Sequence, residues 1–549
     1  MGNCLNDSKH PVQVIRQDRE KYGVIMKNYS KFLGKKNANM DEPVIGNPAK
    51  IKISETEVEK FLEISPEIIG KGEFGIVRVA RQKNFPSKVF ALKTINKKLV
   101  QHQINSFYRE VILLSSCDHP NIIKFYELFE CEEKIHFQLE NCNGENLGDR
   151  IKRKIRILEP ELKILFRQIL LAINHIHLRG ICHRDIKPEN FMFGDKFDDN
   201  SLKLLDFGFA KRFFGTNGKC RMYNLVGTPA FVAPEVLSGD YDEKSDIWSA
   251  GILLYYMASG KLPYNFRVDL QDLYRQIIIA NIDFKINFMK CTLSPNFFNL
   301  LKSLLNPNEK SRISIIQALS HPWFDQKISY SLSFSEIAEM INNFNEFKKF
   351  TSFQKNVFKI HVKWLSKMEI EPLRCLFSKI DRDYDGIISF PELKYFLIQN
   401  NLFISNEHCI SQIQSLHQTD NHHIFYTEFL ASTINKSIIL LETNLKNIFK
   451  SLKLESQKFL SMKSIENIYI LTGYTFDKKS FMDLVSQSGI KLKSELGIDY
   501  EEFRILMMND IETMTSDIEK QKHFLKNELD SKQNCFNSNK VEYVSNITN

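Results

Sequence analysis

The run IIGKGEFGIVRVA, residues 68–80, spaces Gly70, Gly72 and Gly75 as GxGxxG. On its own that spacing also fits the turn that opens a helix in a dinucleotide-binding fold. Here Ile76, Val77, Val79 and Ala80 follow, so the glycines lie between two strands. Such a loop, with Lys71, Glu73 and Phe74 between its glycines, can fold over a triphosphate and offer it backbone N–H groups. The next apolar run, VFALK, alternates with period two and puts Val89, Ala91 and Lys93 on one face. Ala91 is small enough to lie against an adenine, and Lys93 can reach phosphate oxygens. The helix-like stretch FYREVILL then supplies Glu110, a partner for Lys93.

Further along come HRDIKPEN (183–190), LLDFGFA with Asp206, GTPAFVAPE ending at Glu235, and SDIWSAG with Asp246. Each segment is weak alone; their order and separations together are not accidental. Residues 61–325 resemble a eukaryotic protein kinase domain. The resemblance implies an ATP- and Mg2+-dependent phosphotransferase. Asp185 would take the substrate hydroxyl proton, and Lys187 would stabilise the transferring phosphoryl group. Asn190 and Asp206 would hold magnesium, and Lys93 with Glu110 would grip the α- and β-phosphates. Gly70 to Gly75, Val77, Ala91 and Glu140 would line the nucleotide site, and Glu235 would pair with Arg312. Lys187 after Asp185, and Thr228 before the APE segment, match the serine/threonine class. In relatives that prefer basic substrates a glutamate stands where this chain has Asn146, with Glu145 displaced; Glu189 keeps the other acidic position. Protein substrates with Ser or Thr near basic residues are expected. Thr216 is a candidate phosphosite whose phosphate Arg184 would bind.

The second half repeats. Ile388, Ile424, Leu460 and Ile498 sit in similar surroundings at spacings of 36, 36 and 38 residues, a period that signals repeated supersecondary units. We read four helix–loop–helix units, paired two by two through these residues. The first loop, DRDYDGIISFPE, has the ligand spacing of an EF-hand: Asp381, Asp383, Asp385, the Ile387 carbonyl, Ser389 and Glu392, with Gly386 for the turn. The others lack the set. Loop two has His417 first and His422 in place of the glycine. Loop three runs from Lys453 to Ser464, and loop four carries Lys491 and Lys493. An ammonium where a dication should sit repels it, so one Ca2+ site is expected.

Between the halves, Phe350, Phe353, Val357, Ile360 and Trp364 step by threes and fours among lysines, as in a basic amphipathic helix of the calmodulin-target type. Kinase, basic helix and four EF-hands in that order resemble the calcium-dependent protein kinases of plants and protists. The resemblance implies autoinhibition by the junction helix, relieved by calcium. The alternative is a calcium-insensitive kinase whose EF-hand region is a structural or docking module.

The expected fold is therefore α+β: a bilobal kinase domain, then an all-α EF-hand domain. The divisions are a flexible segment 1–60, the kinase 61–325, a junction helix 326–368, EF-hand units 369–512 and a polar tail 513–549. The 549 residues suit several domains, and 10 scattered cysteines suit a reducing compartment. No apolar run spans a bilayer, and the net charge of +8 is too dispersed for a nucleic-acid partner. The opening MGNCLN offers Gly2 and Cys4 for acylation, so a cytoplasmic protein with membrane association is expected.

Overall fold

A computed structural model describes residues 50–508 apart from 53, 72–74, 84, 101–103, 155–156, 216–217, 266–267, 281, 285–292, 325–333, 363–364, 366, 401–422, 435–438, 453–457, 473, 475 and 493–496. The described residues form two units. One comprises the chain up to 348 together with 362–434; the other comprises 349–361 and the chain from 435.

In the first unit a six-stranded sheet builds an upper lobe. Its strands are β1 (Lys50–Lys52), β2 (Leu62–Lys71), β3 (Gly75–Gln82), β4 (Phe85–Asn96), β5 (Phe125–Glu130) and β6 (Lys134–Glu140), in the order β1-β5-β6-β4-β3-β2. β2 to β4 form a meander, and Val79 faces Ala91 in the β3–β4 register. Gly75 cannot be replaced cheaply, because a Cβ there would meet the Thr94 carbonyl at 2.4 Å. The lower lobe is helical. It is built around α3 (Glu159–Leu178) and the Lys244–Ser259 helix, both buried over most of their length.

Residues 50–52 and 55–60, expected within a flexible segment, instead belong to β1 and α1 (Glu55–Phe61). β1 adds to β5 in parallel, and Val58 with Leu62 buries against Leu92 and Phe129. The few apolar residues sit at helical spacing, and the edge of β5 offers free backbone groups. Both signals are too short to stand out in a polar segment.

The junction is not one helix either. It breaks into α4 (Phe334–Lys349) and α5 (Ser352–Val362). The break is chemical: the Thr351 N–H donates to Gln354 Oε1 at 2.7 Å, and the Gln354 N–H donates to Thr351 Oγ1 at 3.3 Å. This reciprocal capping box starts a new helix inside a continuous apolar pattern.

In the EF-hand region Ile388 pairs with Ile424, and Leu460 with Ile498, each in a short antiparallel ladder. α4 packs within the first unit: Phe344 lies 6.0 Å from Phe429, and Asn343 Nδ2 donates to the Thr433 carbonyl at 2.7 Å. Within the second unit α5 is gripped by the last two helix–loop–helix units. Phe353 sits against Phe481 and Phe503, and Gln354 Nε2 donates to the Leu506 and Met507 carbonyls. Lys359 Nζ reaches the Tyr474 hydroxyl at 2.6 Å. No described helix is long and apolar enough to cross a membrane.

Candidate active site and calcium loop

The cleft residues come from separate elements. Lys93 on β4 lies 2.7 Å from Glu110 on α2 (Ile104–Ser115). Burial pushes the Lys93 ammonium down, but Glu110 and Asp206 outweigh it and leave the group above its ordinary pKa, firmly charged. Ala91 is nearly buried on the same strand, and Val77 faces Lys93 across the β3–β4 ladder. Gly70 and Lys71 close β2; Gly72, Glu73 and Phe74, between them and Gly75, lie outside the described residues. The Glu140 carboxylate is taken by Lys203 Nζ at 2.8 Å and the Lys124 N–H at 3.1 Å, and its own N–H donates to the Lys124 carbonyl at 2.9 Å.

Asp185 is held from three sides. Lys187 Nζ lies 2.8 Å from Oδ2, and Asn190 Nδ2 donates to Oδ2 at 2.9 Å. Oδ1 accepts from the Thr228 N–H at 3.0 Å and from the Thr228 hydroxyl at 2.8 Å. Burial pushes the Asp185 carboxyl up, yet the bonds from Lys187 and Thr228 bring it below its ordinary value. Thr228 is thus a positioning residue for Asp185, a contact across 43 residues that no local pattern announces.

The loop bearing Asp185 is anchored from below. The fully buried Asp246 accepts from the His183 and Arg184 N–H groups, both at 2.8 Å, and lies 2.8 Å from His177 Nε2. These bonds hold Arg184 at φ +67, and Asp206 stands at φ +45. Non-glycine residues keep such φ values only where surroundings enforce them. Phe207 is buried under His183, which leaves the Asp206 carboxylate beside the cleft. Arg312, fully buried, meets Glu235 through two bonds of 2.5 and 2.9 Å.

Glu145 and Asn146 are half-buried, and both are engaged by neighbouring groups. Arg153, with Arg150, holds the Glu145 carboxyl down at about 2. The Asn146 side chain accepts from the Asp149 N–H at 2.9 Å. Glu189 is exposed. Thr216, Gly2 and Cys4 lie outside the described residues.

The first EF-hand loop gathers oxygens. Ligand atoms of Asp381, Asp383 and Asp385 lie within 4.8 Å of one another. Glu392 ties the loop's two ends: Oε1 accepts from the Arg382 N–H at 2.7 Å, and Oε2 from the Ser389 N–H and hydroxyl. The loop turns through Tyr384 at φ +60 and Gly386 at φ +78, which brings the Ile387 strand back alongside. Burial raises the Asp381 carboxyl, with Glu392 and Asp383 adding repulsion; Asp385 is raised likewise by burial and by its neighbours. Mutually repelling carboxylates around one point, Asp381 buried, Asp385 half-buried and Asp383 exposed, fit a hard dication. His417 to His422 of loop two, Lys453 to Glu455 of loop three, and Lys493 of loop four lie outside the described residues.

This loop does not hang free of the kinase lobe. Asn174 Nδ2, on α3, donates to the Tyr384 carbonyl at 2.6 Å. Asp118, three residues past α2, accepts from the Thr427 N–H at 2.8 Å and hydroxyl at 2.7 Å. A Cβ on Gly386 would meet His175 Nδ1 at 2.4 Å, so glycine there serves both the turn and the contact. Asp118, Asn174 and His175 stand outside the motifs read from the sequence, and their partners lie hundreds of positions away.

Comparison with known proteins agrees with this geometry. A protein kinase domain model matches residues 64–324. Calcium-dependent protein kinase 5 of Plasmodium falciparum is 30% identical over 461 residues, covering 83% of this chain and 79% of that protein. Calcium-dependent protein kinase 3 of Plasmodium yoelii yoelii is 33% identical over 380 residues, 69% of each chain. Calcium-dependent protein kinase 17 of Arabidopsis thaliana is 29% identical over 469 residues, 85% of each.

Proposed function

This chain belongs to the calcium-dependent protein kinase family, and on that premise we propose that calcium held by Asp381, Asp383, Asp385, Ser389 and Glu392 controls its activity as a protein serine/threonine kinase. The observation that carries the reading is the seat of the first EF-hand loop on the kinase lobe. Tyr384 and Gly386 of that loop touch Asn174 and His175. Thr427, in the paired unit, holds Asp118 at the end of the segment that follows the Glu110 helix. A change in the loop is therefore felt beside the element that aligns Lys93.

In the cleft, Lys93 holds the ATP phosphates, and Asp185, oriented by Thr228 and Asn190, aligns the substrate hydroxyl and receives its proton. Lys187 neutralises charge developing on the phosphoryl group. Asn190 and Asp206 would hold magnesium, which would supply charge neutralisation on the phosphate oxygens. With Glu145 engaged internally, Glu189 is the acidic side chain left to favour basic residues near the target Ser or Thr. Autoinhibition belongs to the same reading: part of the 326–368 junction withholds the cleft until the EF-hand region takes hold of it. Acylation at Gly2 and Cys4, with membrane association of a cytoplasmic protein, completes the proposal; mass spectrometry of the amino-terminal peptide tests it.

One observation favours the alternative, an EF-hand region that is only structural. α5 is gripped by the two units that lack calcium ligands, so its hold needs no ion. Phosphate transfer to a peptide, measured with and without calcium, separates the readings. Asp206→Ala should be inactive in both conditions. Glu392→Gln should keep calcium-free activity and lose the response, and a chain ending near residue 325 should be active and unresponsive. Wild-type activity unaltered by calcium would leave the alternative, and calcium stimulation undiminished in Glu392→Gln would remove the first loop from the control.

A further inference from the structure

Three side chains from separate stretches converge on the upper lobe: Glu55 on α1, Cys131 just past β5, and His136 on β6. One ligand atom from each lies within 4.8 Å of the other two. Cys131 and His136 are buried, at 3% and 4% exposure. His136 Nδ1 lies 2.9 Å from Thr94 Oγ1. Its Nε2 has no hydrogen-bond partner and points at Glu55, 3.8 Å from Oε2. Glu55 Oε1 is also buried without a partner, while Oε2 takes the Lys134 ammonium at 2.9 Å.

If Nδ1 gives its hydrogen to Thr94, a bare imidazole lone pair lies beside the Glu55 carboxylate, whose Oε2 takes the Lys134 ammonium while Oε1 is buried without a donor. Two buried acceptors, Nε2 and Oε1, left unsatisfied in one place are unfavourable unless something positive joins them. A thiol is the third group at the same point. We propose that Glu55 Oε1, Cys131 Sγ and His136 Nε2 form a binding site for one zinc-type divalent ion. Nitrogen, oxygen and sulfur donors in one set suit zinc and do not suit calcium or magnesium. Tetrahedral zinc, with ligands about 2.0–2.3 Å away, requires the three to close by roughly 1 Å. Thr94 fixes the ring tautomer from behind, the usual task of a group that backs a metal-bound histidine. A cavity lined by Glu55, Arg78, Thr94, Lys134 and His136 adjoins the cluster and gives water a route to the fourth position. On binding, the Cys131 thiol gives its proton to solvent, and thiolate and carboxylate together balance the ion's two charges. The ion would tie α1, which precedes the kinase domain, to the β5–β6 hairpin. This inference does not rest on the calcium reading.

The test is cobalt(II) titration of the full chain after chelator treatment. Binding should produce a near-ultraviolet thiolate-to-cobalt band that saturates at one equivalent and is erased by zinc. Cys131→Ser should abolish the band. Glu55→Gln and Thr94→Val should each weaken cobalt binding by about tenfold or more, with an unchanged circular dichroism spectrum. Absence of the band in the wild-type chain, or a band that persists in Cys131→Ser, overturns the proposal. If Cys131→Ser does not fold, Glu55→Gln decides, and unaltered cobalt affinity there overturns it equally.

Discussion

The side-chain amide of Asn174 donates to the backbone carbonyl of Tyr384 at 2.6 Å, joining a helix of the kinase lobe to the turn of the first EF-hand loop across 210 positions of sequence. Tyr384 holds a left-handed backbone there, φ +60, so the carbonyl's direction depends on the loop's shape. Asp118 and Thr427 make a second, bidentate link nearby. Any rearrangement of the loop must be accommodated by these bonds or break them.

Asp118→Ala should therefore uncouple the two parts without touching the cleft. It removes two hydrogen bonds to a carboxylate, each worth about 1.5–3 kcal/mol. The calcium concentration giving half-maximal stimulation should shift by about tenfold or more, while the ATP KM stays unchanged. An unshifted calcium curve in a peptide phosphorylation assay would show that the contact carries no signal.

The loop's carboxylates predict a pH dependence with a definite sign. Asp381 and Asp385 are raised above their ordinary values by burial and mutual repulsion. Without an ion the folded loop favours protonated carboxyls, so its stability is present below about pH 4 and is lost as pH rises through the raised values. Calcium needs the same groups ionised. Calcium affinity should fall from neutral to mildly acidic pH, with protons released on binding. Calorimetry in buffers of different ionisation enthalpy measures both, and a pH-independent affinity without proton release would contradict the expectation.

Thr228→Val keeps the backbone bond to Asp185 and removes the hydroxyl from both Asp185 and Lys187. Asp185 loses one of the groups that fix its angle. The expected result is a kcat lower by up to about a hundredfold with little change in the ATP KM. Thr228→Ser should restore most of the rate, because the hydroxyl returns. Equal rates for the Val and Ser variants would remove the positioning role.

Phe353→Ala tests the grip on α5. The ring is fully buried between Phe481 and Phe503, and its loss should destabilise the second unit by about 3–5 kcal/mol. The loss should be the same with and without calcium, since the surrounding loops lack the ligand set. Thermal unfolding of the full chain followed at two calcium levels gives the comparison; a loss seen only with calcium would mean that those loops bind the ion after all.

The kinase class and the repeat were legible because they are written in local terms. Period-two alternation puts Ala91 and Lys93 on one strand face, and spacings of 36 to 38 residues set Ile388 opposite Ile424 and Leu460 opposite Ile498. Ligand spacing in DRDYDGIISFPE is likewise a property of twelve consecutive residues. The break at Thr351 was also written locally, as T-x-x-Q, but the apolar stripe runs through it and hides it. β1 and α1 were hidden by the polarity around them. Only the tertiary structure decided that Thr228 braces Asp185, that Asn174 and Asp118 receive the EF-hand pair, and that His136 Nε2 and Glu55 Oε1 are brought together, each buried without a partner. Hydrogen bonds between residues tens or hundreds of positions apart follow from how whole elements pack, and no periodicity or spacing along the chain encodes which polar side chains that packing will bring together.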